Sequence, residues 1–175
     1  MLSVISNRKK KFKNLYDTYS ELLFVVALRY VSNQFDAEEV IQRGFIKAYK
    51  SLNKFRGKTA AEEKAWLKRI MINESLLFLR EQKRHLVTEL TIESDWEEEL
   101  EEEALNPELC FQLVKDLPDG YRSVFNLNVI EGYSHKEIAE ELGISESTSR
   151  SQLQRARKLL QSKIKHYETA HRRYI

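Results

Sequence analysis

Cysteine, proline and glycine are all scarce in this chain: of 175 residues, one is Cys, two are Pro and five are Gly. The single Cys110 excludes a disulfide framework, and His85, His135, His166 and His171 are too scattered to form a metal-ligand cluster, so no metal or other cofactor is expected. The shortage of Gly and Pro excludes collagen-like and low-complexity chains and favours long helices over many short strands. Long apolar runs are missing too. The longest, Leu22 to Leu28, has seven residues, where a bilayer span needs about 20. The opening Met1-Leu-Ser-Val-Ile-Ser precedes a basic cluster, the reverse order of a secretory signal. A cytoplasmic chain without membrane insertion is expected.

What is plentiful is charge, and it is segregated. Residues 1–86 carry 18 Lys/Arg against 9 Asp/Glu, residues 87–119 carry one against 12, and residues 120–175 carry 10 against 6. The net +2 therefore conceals two basic blocks around an acidic one, a pattern that points to polyanion contacts at both ends. The stretch Glu93-Ser-Asp-Trp-Glu-Glu-Glu-Leu-Glu-Glu-Glu has too much like charge and too few apolar residues to pack as a core element. It reads as a flexible linker between two helical domains.

Periodicity and caps predict an all-α architecture of three helices, the linker, then four helices. The first runs from about Lys11 to Val31, with Leu15, Tyr19, Leu22, Leu23, Val26 and Tyr30 at helical spacing. The preceding Arg8 to Lys13 tail is expected to fray. Asp36-Ala-Glu-Glu39 has capping-box form and predicts a helix to about Leu52, with Val40, Ile41, Phe45, Ala48 and Tyr49 inward. Asn53-Lys-Phe-Arg-Gly57 reads as a loop. Thr59-Ala-Ala-Glu62 opens a helix to about Arg84, with Trp66, Ile70, Asn73, Leu77 and Arg80 along one stripe. Beyond the linker, Asn106-Pro107 starts a helix that ends near Leu117-Pro118. The next spans about Asp119 to Ile130, stopping at Gly132. Ser134-His-Lys-Glu137 caps a short helix ending at Gly143, and Ser145 caps a last helix to about Tyr167. The expected domains are 8–86 and 106–168, joined by 87–105.

Ser134 to Leu160 is the most informative segment. A short helix with Ile138, Ala139 and Leu142 meets Gly143, Ile144 and an N-capped helix, which is a helix-turn-helix. Gly143 supplies the left-handed turn, Ala139 the close crossing and Ile144 the anchor. The last helix would then present Ser147, Thr148, Arg150, Ser151, Gln154, Arg155, Arg157 and Lys158 outward. Hydroxyls at the helix start suit a phosphate, and Arg and Gln one or two turns on can reach base edges in a major groove. A basic helical hairpin without DNA is the plainer alternative. No Ser/His/Asp constellation or glycine-rich phosphate loop is present, and the carboxylates cluster in the linker, where nothing holds a catalytic pair in register, so no enzymatic activity is expected.

The strings Leu117-Pro-Asp-Gly-Tyr-Arg-Ser-Val-Phe, Glu131-Gly-Tyr-Ser-His-Lys-Glu-Ile-Ala-Glu-Glu-Leu-Gly-Ile-Ser and Ser149-Arg-Ser-Gln-Leu-Gln-Arg-Ala-Arg-Lys-Leu-Leu resemble region 4 of bacterial sigma factors. Upstream, Asp36-Ala-Glu-Glu-Val-Ile-Gln, Phe45-Ile-Lys-Ala-Tyr and Ala65-Trp-Leu-Lys-Arg-Ile-Met-Ile-Asn resemble region 2. In this order and in so short a chain, the two resemble the extracytoplasmic-function (ECF) group of the sigma-70 family.

The resemblance implies that core RNA polymerase and promoter DNA are partners, and that an anti-sigma factor is the usual inhibitor. It implies −35 reading by Arg150, Ser151, Gln154 and Arg155, with Arg157 and Lys158 on phosphates. It implies polymerase docking by the helix from Asp36 to Leu52, with Asp36, Glu38, Glu39, Gln42, Phe45 and Lys47 as contacts; the three carboxylates equally suit a helix N-terminus. For opening the −10 element, Lys54, Phe55, Arg56, Lys58, Lys64, Lys68 and Arg69 offer the cations and planar surface a single strand needs, and Asn73 matches a position near the captured base. Trp66 is expected in the core. The acidic linker either threads into the polymerase's nucleic-acid channel or keeps two basic domains apart. Three departures stand out: Ser149 where a β-branched apolar residue is usual, Arg43-Gly44 where an acidic residue commonly follows Gln42, and Leu77 where many members are acidic. A stand-alone helix-turn-helix regulator is the rival reading; it would bind duplex DNA tightly without polymerase.

Overall fold

The computed structural model describes residues 2–86 and 107–171, with side chains over 7–83 and 107–167. The acidic segment read as a linker and the Asn106 cap lie outside these residues. The described residues form seven α-helices and no strand, in two compact units that divide the chain at Arg80–Glu81.

In the first unit, α1 (Leu2–Val31) and α2 (Gln34–Ser51) pack together and a 3-10 turn (Leu52–Lys54) leads towards α3 (Ala60–Leu86). The expected fraying of Arg8 to Lys13 does not occur: α1 begins at Leu2. Ring contacts explain the extra turns. Phe12 meets Phe45 and Tyr49 edge-on at centroid distances of 6.0 and 5.0 Å. The Arg8 guanidinium lies 4.2 Å from the Tyr49 ring centroid and donates to the Tyr49 carbonyl. α1 ends at Ser32, whose φ is +66°.

The capping box expected at Asp36 is displaced. Asn33 is the cap, its Oδ1 accepting from the Asp36 amide at 2.9 Å while its Nδ2 donates to the Asp36 carboxylate at 2.6 Å. Asn and Asp cap equally well, and the one nearer the end of α1 is used. The core joins Leu23, Val26 and Tyr30 to Val40, Phe45 and Ala48, and to Leu67, Met71 and Ser75. A Cβ on Gly44 would lie 2.3 Å from the Met71 sulfur. α3 therefore buries the Leu67–Met71–Ser75–Phe78 stripe, while Asn73 and Arg80 face outward and Leu77 is 36% exposed. Trp66, expected in the core, is half-buried instead.

In the second unit, α7 (Glu146–His171) is the longest helix, and α4 (Pro107–Lys115), α5 (Asp119–Phe125) and α6 (His135–Leu142) all pack on it. Leu109 and Leu113 of α4 meet Tyr167, Leu160 and Ile164 near its far end. α5 continues without a break into a π-helical turn (Asn126–Ile130), closed by the Glu131 amide on the Asn126 carbonyl at 3.0 Å. The expected single helix thus has the right length but a widened last turn, ending at Gly132 with φ +78°.

Arg122 is buried and joins α4 to α5, donating to the carbonyls of Lys115 and Leu117 at 2.9 and 2.6 Å and to the Asp119 carboxylate at 2.6 Å. Burial lowers its pKa from the ordinary value, and Asp119 opposes that shift.

The boxes at Thr59–Glu62 and Ser134–Glu137 form as expected. Amides of Lys58 and Thr59 hold the Glu62 carboxyl below the ordinary glutamate range, and the Ser134 hydroxyl and amide do the same for Glu137. These depressed carboxyls stabilise the fold above the ordinary glutamate range, and that contribution fades as pH falls through their lowered values. Ser134→Ala should cost about 1 kcal/mol near neutral pH, and its gap from wild type should shrink in acid denaturation followed by circular dichroism. Gly44→Leu should overpack the crossing and cost about 1–3 kcal/mol by urea denaturation.

Candidate nucleic-acid interface

The turn between α6 and α7 sets the first surface. Gly143 caps α6 with φ +67°, and the Ile144 amide returns to the Ala139 carbonyl at 3.1 Å. Ile138 is fully buried, whereas Ile144, expected as the anchor, is only half-buried. Ser145 caps α7 by accepting from the Thr148 amide at 3.0 Å. Ser149, Leu153 and Ala156 form the inner face of α7, which turns Ser147, Arg150, Ser151, Gln154, Arg155, Arg157 and Lys158 to solvent and leaves Thr148 half-exposed.

Two of the outward cations are pre-positioned. Arg150 pairs with Glu146 one turn back at 2.6 Å, and Arg155 reaches the Tyr121 hydroxyl at 3.4 Å. Ser149 is fully buried, yet its hydroxyl is satisfied: it lies 2.9 Å from Nδ1 of His135 on α6. A polar pair thus holds α6 against α7 where an apolar contact is usual.

The second surface lies on the loop before α3. Phe55 stacks on Trp66 at a centroid distance of 4.5 Å and an interplanar angle of 23°. The Lys11 ammonium lies 5.4 Å from the Phe55 centroid. Arg56 bonds back to the Asn53 carbonyl at 2.7 Å, fixing the loop, and Lys54 and Lys58 are exposed. On α3, Lys64, Arg69 and Asn73 are exposed and Lys68 is half-buried. This gathers a stacked aromatic pair, cations and one amide within the first unit, the components a single strand requires.

The third surface is the outer face of α2. Glu38, Glu39 and Gln42 are exposed there and Asp36 is half-buried. Phe45, expected as a docking contact, is 4% exposed and packs against Phe12 and Tyr16, so it is a core residue. Lys47 projects outward but forms an ion pair with the buried Glu74 of α3. Phe35, which periodicity did not single out, is 85% exposed at the start of this face.

Residues 15–85 match the family described as sigma-70 region 2, and residues 111–160 match sigma-70, region 4. The chain is 33% identical over 170 residues to the ECF RNA polymerase sigma-E factor of Haemophilus influenzae, covering 89% of this chain and 88% of that one. This chain belongs to the ECF sigma factors of the sigma-70 family. The sigma-E factor of Escherichia coli K12 is 30% identical over 171 residues, covering 89% of this chain and 87% of its own length. Among solved structures, the sigma factor RpoE of Bartonella quintana, determined with the anti-sigma factor NepR, is similar at a TM-score of 0.56 and 26% identity, over 89% of this chain and 98% of that one.

An ECF sigma factor directs RNA polymerase to promoters, which sets aside the stand-alone regulator. No helix among the described residues is long and apolar enough to cross a membrane.

Two of the three departures from the family pattern have local accounts. His135 accommodates Ser149. Gly44 lets Met71 approach the α2 backbone, and Arg43 pairs with Glu39 at 2.6 Å and lies 5.5 Å from the Phe78 ring centroid. Leu77 lies on the exposed side of α3, one turn beyond Asn73. Residues that sequence reasoning missed are those whose partners are distant in the chain: Arg8 with Tyr49, Lys11 with Phe55 and Glu63, and His135 with Ser149.

His135→Ala should leave a buried hydroxyl without its imidazole and cost about 1–3 kcal/mol. Ser149→Val should be milder, since it restores an apolar contact and leaves the half-exposed imidazole free to bond water. Thermal melts of the two variants check the order.

Proposed function

We propose that this sigma factor reads its promoter with two separate faces, one on each helical unit. The Arg150, Ser151, Gln154 and Arg155 edge of α7 enters the major groove of the −35 element, with Ser147, Thr148, Arg157 and Lys158 on phosphates. The single observation that carries this is the division of α7, whose inner face is buried while its cationic edge stays open. Lys54, Phe55, Arg56, Lys58, Lys64, Lys68, Arg69 and Asn73 trap the unpaired −10 strand by stacking and charge. Glu38, Glu39 and Gln42, flanked by Asp36, dock on core polymerase; Phe45 supports that face from beneath, and Lys47 braces it through Glu74.

In this reading residues 8–86 and 106–168 are the two working domains and 87–105 joins them. The protein acts in the cytoplasm as a non-enzymatic subunit. An anti-sigma factor is its inhibitor, by analogy with the Bartonella relative and its NepR partner.

Run-off transcription with purified core polymerase should start only when this protein is added, and protein without polymerase should yield no transcript. Failure across a genomic promoter library would overturn the reading. Arg150→Ala and Arg155→Ala should each cost about 1–3 kcal/mol on the preferred −35 sequence and less on altered ones. A loss equal on every sequence, with a shallower salt dependence, would reassign them to phosphate.

A further inference from the structure

The tip of α7 carries one charge of the wrong sign for DNA. From Glu146 to Tyr167 the helix has six cations, Arg150, Arg155, Arg157, Lys158, Lys163 and Lys165, and a single carboxylate, Glu146, in its first turn. A carboxylate brought beside a duplex meets about one phosphate per 1.7 Å of DNA axis, so it opposes binding unless a cation covers it. Arg150 covers it: its Nη2 donates to Oε2 of Glu146 at 2.6 Å, with both side chains open to solvent.

An exposed pair of this kind adds little to stability, and a carboxylate suits any helix start. Neither effect sets Glu146 apart from an ordinary N-terminal glutamate, but the geometry of its partner does. A guanidinium holds five N–H donors in a fixed plane. The bond to Glu146 uses one of them, and among the described residues Glu146 is the one partner of Arg150. An adjacent pair of donors is left that can reach O6 and N7 of a guanine in parallel. Arg155 is held differently, by the neutral hydroxyl of Tyr121 at 3.4 Å.

We propose that Glu146 is a positioning residue that sets −35 specificity through Arg150. On a matching base pair, Arg150 serves guanine and carboxylate together. To follow a phosphate instead, Arg150 must turn away and leave Glu146 bare beside the DNA backbone. The wrong arrangement is penalised and the right one is not, so a general phosphate-binding cation becomes a base reader. This role rests on the −35 reading of α7 and adds to it a residue that touches no base.

The test uses holoenzyme formed from the full chain and core polymerase, on fluorescent promoter probes in which each −35 base pair is changed in turn. Glu146→Gln keeps the size of the side chain and removes its charge. It should tighten binding about fivefold to unrelated DNA and to the one probe altered at the base pair read by Arg150. The other probes, including the one altered at the pair read by Arg155, should change little, so discrimination falls by the same factor at a single position. Freed for phosphate, Arg150 should also steepen the salt dependence on unrelated DNA by about one counterion. The melting temperature should barely move. In an Arg150→Ala background, Glu146→Gln should have no further effect on discrimination.

A Glu146→Gln variant that keeps full discrimination, or that lowers it as much in the Arg150→Ala background, overturns the role while base reading by Arg150 stands. A gain in affinity uniform over all probes would mark simple repulsion of DNA by Glu146 and would overturn it too. An Arg150→Ala variant that loses equally on every probe overturns base reading by Arg150 and this role together.

Discussion

A helix that reads DNA must be anchored firmly enough to hold its side chains in register while leaving those side chains free. In the second unit one rod, α7, meets both demands by dividing them along its circumference. Ser149, Leu153 and Ala156 are buried against α5 and α6, and every candidate base-reading residue lies on the opposite side. The packing has little redundancy. Towards its N-terminal end it relies on a small residue, a leucine and one serine, and the serine's buried hydroxyl is met by an imidazole at 2.9 Å. A buried hydroxyl without a partner would cost about 1–3 kcal/mol, more than the roughly 0.5–1.5 kcal/mol a typical hydrogen bond returns, so His135 and Ser149 are best read as a single unit of sequence.

The first unit solves a different problem. The residues proposed to trap a strand lie on a loop and on the outward side of α3, and that role would require the fold to hold a loop still. It does so through contacts spanning long stretches of chain. Tyr19 donates to Ala60, Lys11 reaches Glu63 and Phe55, and Lys47 reaches Glu74. The Thr59–Glu62 box then fixes where α3 begins. Stacking Phe55 on Trp66 gives the loop an aromatic surface already in place, which would lower the ordering cost of the proposed strand binding.

The helices, their order and most of their caps were legible in the sequence because they depend on residues three or four apart. Ser134, Gly143 and Ser145 marked the helix-turn-helix, and the outward edge of α7 followed from period alone. Where the reading slipped, the deciding contact was remote. α1 starts early because Arg8 and Phe12 find Tyr49, some forty residues on, and Phe45 is core because Phe12 and Tyr16 cover it. The capping-box form of Asp36–Glu39 drew the reading to Asp36, whereas Asn33, nearer the end of α1, is the residue that caps α2. α3 carries apolar residues on more than one side, so its period alone did not say that Met71 rather than Trp66 would face Gly44.

The Arg122 clamp has a mechanical corollary. By gripping the last carbonyls around α4 and the first carboxylate of α5, it makes those two helices one stiff bracket. α4 is seated on Leu160, Ile164 and Tyr167, far along α7 from the Ser147–Gln154 tip. Tension entering the chain ahead of Pro107 therefore reaches α7 at two places, at its far end through α4 and beside Gln152 and Arg155 through α5.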